Sequence, residues 1–443
     1  MNALLAIAWK SAWNRRFTLS LTVLSIALAT LLLLGVERIR TELRENFASA
    51  VSGTDLIVGA RTGSTQLLLY SVFHIGSATN NIAWKSVQAL EAHKGVAWVV
   101  PLSLGDSHRG FPVVATTPAY FDHVRRGEQL LAEGKVFSQK SAGPPPASLP
   151  PSGGGSGSAQ SSGPTGLFDA VVGADVAEQL GYHVGKQITL AHGSGELTPE
   201  HADKPFTVVG ILKRTGTPID RTVHIGLEAM EAIHLEWVGG APMPGVKISA
   251  EQVRKFDLTP KNVTAALVGL KNRAAVFSVQ RWVSTYPEEP LMGILPGVAL
   301  DELWQVIGVG EKALLAMSGL VGIVSLAGLV SVVMAGLNER RRELAVLRAV
   351  GASLRHVLAL LALEGAIVTV LGVALGALLA ALGIAALGPW LQAQYGLALQ
   401  LSAPTLNEWL LLGGLLAAGW LASLLPGIRA YRLSLADGLS PRI

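Results

Sequence analysis

The sequence predicts an α-helical membrane protein with four transmembrane helices and one large α+β domain between the first two. Three observations lead there. Half of the 443 residues are hydrophobic and 15 % are charged, against about 25 % charged in an average soluble domain, and the mean hydropathy is +0.43. The apolar excess lies in one block near the N-terminus and three toward the C-terminus, with soluble-type composition between them. Arginine and lysine gather beside these blocks on one side only.

A bilayer core of about 30 Å needs about 20 apolar residues in a helix. The runs that qualify are 17–36, 313–337, 357–387 and 409–425. Pro426 closes the last one and suits a helix terminus. The first run reads as an uncleaved anchor. It outlasts the roughly 7–15 residues of a signal-peptide core, and the small-residue site Ala48-Ser49-Ala50 lies well past its end. The preceding segment, 1–16, reads either as an amphipathic helix on the membrane surface or as a tail.

Positive charge in short loops sets orientation. Lys10, Arg15 and Arg16 precede the first span, and Arg340, Arg341, Arg342, Arg348 and Arg355 follow the second. Arg429, Arg432 and Arg442 lie in the tail, 426–443. The loop 388–408 has no Lys or Arg. Both termini and the segment 338–356 are therefore expected in the cytoplasm. Segment 37–312 and loop 388–408 fall outside, in the periplasm of a Gram-negative cell. The expected location is the bacterial inner membrane, with the lipid bilayer as a partner.

Within 37–312 the ends are helical. Glu37–Ala48 and Leu300–Ala313 are rich in helix formers and read as stalks continuing the first two spans. Between them, Asp55–Val58, Val96–Leu104, Phe111–Thr116, Ala170–Val172, Gln187–Ala191 and Phe206–Lys213 read as strands. Ile82–His93, Asp175–Leu180 and Leu227–His234 read as helices. The Pro/Gly/Ser-rich stretch 138–166 has too little apolar surface to offset the entropy of ordering. It is expected to be a disordered insertion that divides the domain in two.

The chemistry is mostly one of exclusion. With no cysteine there are no disulfides, thiolate metal sites or cysteine nucleophiles. The net charge of +4 does not imply a nucleic-acid partner. The nearest approach to a phosphate-binding loop, Gly181–Gln187, is one residue short and lacks the magnesium-ligating Ser or Thr. No Gly-x-Ser-x-Gly motif is present. The chain is thus expected to be non-catalytic and to bind no cofactor of its own. All histidines but His356 fall in 37–312, without the i,i+4 spacing of a helical zinc site. They read as scattered surface histidines and no metal is expected. His192 and His201, flanking a loop with Glu196 and Glu200 and followed by Asp203, are the strongest candidates. Glu364 is a carboxylate early in the third span, where a structural pairing with Arg355 or another arginine of the segment 338–356 is favoured over a transport role. Gly372 and Gly376 have the GxxxG spacing that lets membrane helices pack closely, a spacing long apolar helices also contain by chance.

Asn338–His356 reads NERRRELAVLRAVGASLRH, a short charged and amphipathic segment with Ser353 placed to cap the next helix. Glu339, Arg340, Arg341, Arg342, Glu343, Leu347, Arg348, Ala349, Gly351, Ala352 and Ser353 resemble the signature after the second span of the MacB/LolC/FtsX superfamily of ABC-transporter permeases, the type VII or mechanotransmission group. Pro426–Arg432 with Ala436–Leu439 is similar to the family's ending. Gly53–Arg61 and Val171–Ala177 resemble parts of its periplasmic core domain. The resemblance implies a MacB-like α+β periplasmic domain on helical stalks, and a homodimer or a pairing with a paralogous permease. It also implies a cytoplasmic ABC ATPase dimer that holds the ATP and magnesium. Glu339, Arg340, Arg341, Arg342, Glu343, Arg348, Gly351 and Ser353 would couple ATP hydrolysis to the periplasmic domain. The implied function is efflux of an amphipathic or peptide-like substrate, with a periplasmic adaptor and an outer-membrane protein as further partners. Lipoprotein extraction from the inner membrane is the alternative within the family, and a membrane-anchored sensor or scaffold the alternative outside it.

Overall fold

The computed structural model describes residues 16–124, 130–138, 166–193, 199–238, 241–243, 247–339, 353–395, 399 and 401–432. Helix α1 (Arg16–Ala50) leads into β1 (Leu56–Ala60), α2 (Ser64–Val72), β2 (Ile82–Ala83), α3 (Trp84–Glu91), β3 (Val96–His108), β4 (Phe111–Thr116), α4 (Ala119–His123) and β5 (Leu131–Gly134). Then come β6 (Asp169–Val172), α5 (Ala174–Leu180), β7 (Gln187–Ile188), β8 (Ala191–His192), β9 (Phe206–Leu212), β10 (Val223–Gly226) and α6 (Leu227–His234). After β11 (Trp237–Val238), β12 (Ala241–Pro242), β13 (Asn262–Val263), β14 (Ala265–Leu270), α7 (Val276–Ser284) and β15 (Leu291–Ile294), three long helices follow: α8 (Pro296–Glu339), α9 (Leu354–Tyr395) and α10 (Leu406–Arg432).

These elements form two compact units. The first contains α1 up to Arg44, α8 from Val306, most of α9, and α10. Four described helices are long and apolar enough to cross a membrane: α1, α8, α9 and α10. Leu19, Ile26, Leu329, Val333, Leu361, Val368 and Val373 pack together as the core of this unit. Phe17, Leu21, Leu24, Leu28 and Leu32 recur every three or four residues on the exposed side of α1, a stripe suited to lipid. The helices exceed the predicted spans. The expected stalks lie inside α1 and α8, and Pro296 occupies the first position of α8, where its missing N–H costs nothing. Contrary to expectation, α10 does not stop at Pro426 but continues to Arg432. A proline removes one helical hydrogen bond, and membrane helices tolerate it where neighbouring groups satisfy the freed carbonyl.

The second unit is an α+β domain built on a sheet ordered β15-β1-β14-β3-β4-β10-β6-β9-β5, with β7 added on β9 and β8 on β3. Pairings are antiparallel except β4 with β10 and β6 with β9. Alternate residues enter two different cores: Leu56 and Val58 one, Ile57 the other; Val113 and Ala115 one, Val114 the other. Such two-sided burial explains why several strands read as continuous apolar runs. The 13-residue β3 is shared along its length, pairing with β14 through Leu102 and with β4 from Ser103. A bulge interrupts the second pairing between Leu104 and Ser107. Gly105, at φ +153°, takes the conformation there that other residues rarely adopt.

The insertion itself, 139–165, lies outside the described residues. It does not divide the domain, because strands on both sides of it, β5 and β6, join the same sheet through β9. Its two ends adjoin: a Cβ on Gly166 would lie 2.6 Å from Ser138 Oγ.

Candidate functional site

In the membrane-helix unit, charged residues just past the first apolar span tie three helices together. Arg38 Nη1 donates to both oxygens of Glu408 at 3.3 Å, and Arg38 Nη2 donates to Ser402 O at 2.9 Å. Both partners of that ion pair are buried, the side chains 6 % and 8 % exposed. Glu37 accepts from Asn407 at 3.2 Å and from Arg40 at 3.0 Å. Glu311 on α8 pairs with Arg40 at 3.4 Å and Arg44 at 3.0 Å. Glu408 also accepts from the Thr405 N–H at 2.7 Å while its own N–H points to Thr405 Oγ1 at 3.3 Å. That reciprocal capping box starts α10 and fixes the carboxylate that receives Arg38.

The glycine pair on α9 packs against α1. A Cβ on Gly372 would stand 2.7 Å from Ile26 Cβ, and one on Gly376 2.5 Å from both Ala27 O and Thr30 Cβ. The GxxxG spacing therefore marks a close helix contact. A second seam joins α9 and α10, where a Cβ on Gly419 would meet Thr369 Cγ2 at 2.3 Å and one on Gly365 would meet Ser423 Cβ at 2.2 Å. Glu364, next to Gly365, is buried, and Arg355 at the start of α9 is exposed. Of the coupling residues, Arg340, Arg341, Arg342, Glu343, Arg348 and Gly351 lie outside the described residues. Glu339 is the last residue of α8. Ser353 immediately precedes α9, with its Oγ 2.6 Å from His356 Nδ1.

In the α+β domain, four chemistry-bearing side chains converge: Asp106, His192, His201 and His234. The bulge in β3 turns Asp106 inward, and Asp106, Ser107 and His108 are buried in succession where a regular strand would alternate. Register brings His192 on β8 opposite Asp106. The His192 N–H donates to Pro199 O at 3.0 Å and the His201 N–H to Leu190 O at 2.8 Å, so the second histidine is carried alongside the first. His234 is the last residue of α6. His192 Nδ1 lies 3.2 Å from Asp106 Oδ1 and 3.0 Å from His234 Nε2. His234 Nε2 lies 3.4 Å from Asp106 Oδ1, and His201 Nε2 3.9 Å from Asp106 Oδ2. The Trp237 ring packs on His201 and His192 at centroid distances of 4.6 and 4.9 Å. Burial pushes the His201 pKa down to about 4, outweighing the attraction of Asp106. Burial opposes charge on His234 too, but its hydrogen bond to Asp106 and the Asp106 charge prevail and leave its pKa raised.

Sequence reasoning singled out His192 and His201 but gave them other acidic neighbours. Glu196 lies outside the described residues, Glu200 accepts from Thr189 at 3.4 Å, and Asp203 pairs with Lys204 at 2.6 Å. Asp106 and His234 were missed. Nor are the histidines a scattered surface set. His108 is buried between Thr189 O at 2.6 Å and Tyr182 Oη at 2.8 Å. His224 is fully buried between the Tyr120 and Phe121 rings, and burial drives its pKa down to about 3.

Comparison with known proteins adds two family models. Residues 17–250 match the MacB-like periplasmic core domain, and residues 315–435 match the FtsX-like permease C-terminal region. The lipoprotein-releasing system transmembrane protein LolC of Neisseria meningitidis serogroup B is 25 % identical over 224 residues, 48 % of this chain and 48 % of that protein. The chain thus matches about half the length of this curated relative. The periplasmic region of MacB from Actinobacillus actinomycetemcomitans is 11 % identical, with a TM-score of 0.32 over 60 % of this chain and 96 % of that one. The extracellular domain of YknZ, a noncanonic ABC-type transporter from Gram-positive bacteria, is also 11 % identical, with a TM-score of 0.29 over 54 % of this chain and 99 % of that one. Similarities this low bear no weight beside the family models.

Proposed function

Because this chain belongs to the MacB/LolC/FtsX superfamily of ABC-transporter permeases, we propose that it converts ATP hydrolysis by a separate cytoplasmic ATPase into movement of its α+β domain on the periplasmic side of the inner membrane. Membership in a permease family implies an ATPase partner, and the chain carries no phosphate-binding loop of its own. The observation that carries the reading is the length of α1 and α8. At 35 and 44 residues they extend roughly 52 and 66 Å, far beyond a bilayer core of about 30 Å. Each runs unbroken from an apolar span into the segment that builds the domain. Helices of this kind transmit displacement or rotation without an intervening loop to absorb it. The Arg38–Glu408 and Arg40–Glu311 pairs would make α1, α8 and α10 move together.

The substrate we infer is amphipathic or peptide-like, expelled by a dimer of this chain or by its pairing with a paralogue, with a periplasmic adaptor and outer-membrane channel completing the path. The LolC relative favours a second reading, release of lipoproteins from the inner membrane. Purification of the tagged chain from native membranes in mild detergent, with mass spectrometry of co-purifying proteins, tests the proposal. An ABC ATPase supports it; an adaptor alongside indicates efflux, and a paralogous permease or lipoprotein indicates release. Dimers without any ATPase would refute it and leave a sensor or scaffold. Arg348→Glu, at the expected coupling element, should abolish stimulation of the partner's ATPase while the thermal midpoint stays at the wild-type value.

A further inference from the structure

We propose that Asp106, His192, His201 and His234 form a binding site for one divalent cation of the zinc type in the α+β domain. The donor set decides the class of ion. Three imidazoles and one carboxylate suit zinc and neighbouring late transition metals, whereas calcium and magnesium take mainly oxygen ligands in greater number.

The geometry is close to that of a four-coordinate site. One ligand atom from each residue lies within 4.8 Å of all the others. His192 Nδ1, His234 Nε2 and Asp106 Oδ1 stand 3.0, 3.2 and 3.4 Å apart, near the edge of about 3.3 Å that a tetrahedron requires at metal–ligand distances of about 2.0–2.1 Å, and His201 Nε2 is farther out, 3.9 Å from Asp106 Oδ2. Seating an ion draws the His201 ring inward toward the other three ligands by side-chain rotation.

Two further observations point to a ligand. The Asp106 and His201 side chains are 0 % and 1 % exposed. Asp106 Oδ2 and His201 Nε2 have no hydrogen-bond partner among the described residues. Buried polar atoms are otherwise almost always paired, because leaving them unpaired forfeits their hydration. Both atoms face the cluster, and a cation there would satisfy both. The outer shell also fits. His234 Nδ1 lies 2.9 Å from Met230 O; an N–H donated there leaves the Nε2 lone pair directed at the cluster. Trp237 shields one flank, and the partly exposed His192 and His234 rings, 32 % and 24 %, leave a route for the ion.

With four protein ligands the site has no open position for substrate chemistry, so the ion would act as a staple. It would fix the end of β3, β8, the chain ahead of β9 and the end of α6 to one another. The domain's rigidity would then depend on the availability of zinc.

The test uses the full-length chain in detergent micelles, purified through a tag without histidines, stripped with EDTA and titrated with zinc alone against a chromophoric chelator. One zinc per chain is expected, with the thermal midpoint rising as zinc is added. Cobalt in its place should show the visible bands of a four-coordinate ion. His192→Gln is the variant of choice because that side chain is already partly exposed. It should melt like the wild type in EDTA yet bind zinc more weakly by at least the roughly 10–100-fold that even an outer-shell loss costs. His234→Gln should do the same. If wild type takes up no zinc, or if His192→Gln and His234→Gln bind it as tightly as wild type, the cluster is an ion-paired histidine set and the proposal is wrong.

Discussion

Replacing Gly376 by alanine tests whether α1 and α9 are held at contact distance. The added Cβ would sit 2.5 Å from Ala27 O, 2.5 Å from Thr30 Cβ and 3.0 Å from Thr30 Cγ2. Two of the obstacles are a backbone carbonyl and the stiff Cβ of a β-branched residue, so no side-chain rotation clears them. The helices must part by several tenths of an ångström or more, and overpacking of this kind costs about 1–3 kcal/mol. Alanine also favours a helix over glycine by roughly 1 kcal/mol, which masks part of the loss. Gly383→Ala, on the same helix with nothing within 4 Å of its added Cβ, carries the helix gain without the clash. The difference between the two variants therefore isolates the contact. Tryptophan-fluorescence melting in detergent should place Gly376→Ala below Gly383→Ala, by about 2–4 °C per kcal/mol for a unit of this size. Equal midpoints would show that α1 and α9 do not touch there.

Three further perturbations probe buried charge, each read by the same melting assay. Arg38→Met strands the Glu408 carboxylate and should cost about 3–5 kcal/mol, part of which Glu408→Gln in the same chain returns; an unchanged midpoint would mean the pair is solvated. In the α+β domain, Lys204 is fully buried between Glu236 and Asp203, so Lys204→Met should destabilise by a similar amount, and Lys204→Arg less. His224 has a folded-state pKa of about 3, below its ordinary value near 6.5, so its contribution is complete above pH 6.5 and is lost as pH falls toward 3. Between pH 7 and pH 5 the domain should lose about 2 kcal/mol through this residue alone. His224→Leu should flatten that part of the pH profile, and an unaltered slope would place the titration elsewhere.

The membrane helices were legible because their signal is composition over some twenty residues, and Phe111–Thr116 and Leu227–His234 appear with the bounds their patterns predict. The central strand β14, Ala-Ala-Leu-Val-Gly-Leu, was not legible. It is buried on both faces and poor in β-branched residues, so it shows neither alternation nor strand composition. The helix α2 was hidden for a related reason, its Leu67–Tyr70 stretch being apolar without a clear period. The histidine cluster is a product of register. Asp106 and His192 are 86 residues apart and meet because β8 adds to β3 beyond a bulge. His234 arrives from a helix end, and no sequence spacing encodes that meeting. The Arg38–Glu408 pair was equally silent, joining the end of one span to the start of another 370 residues away.

Ser138 and Gly166, which border residues 139–165, adjoin one another. The entropic cost of closing such a segment grows only as the logarithm of its length, about 0.6 kcal/mol per doubling. It can be trimmed, extended or exchanged while the strands that flank it, β5 and β6, keep their places on β9. A small fluorescent or epitope-bearing module grafted between Ser138 and Gly166 would therefore report on the domain without breaking its sheet.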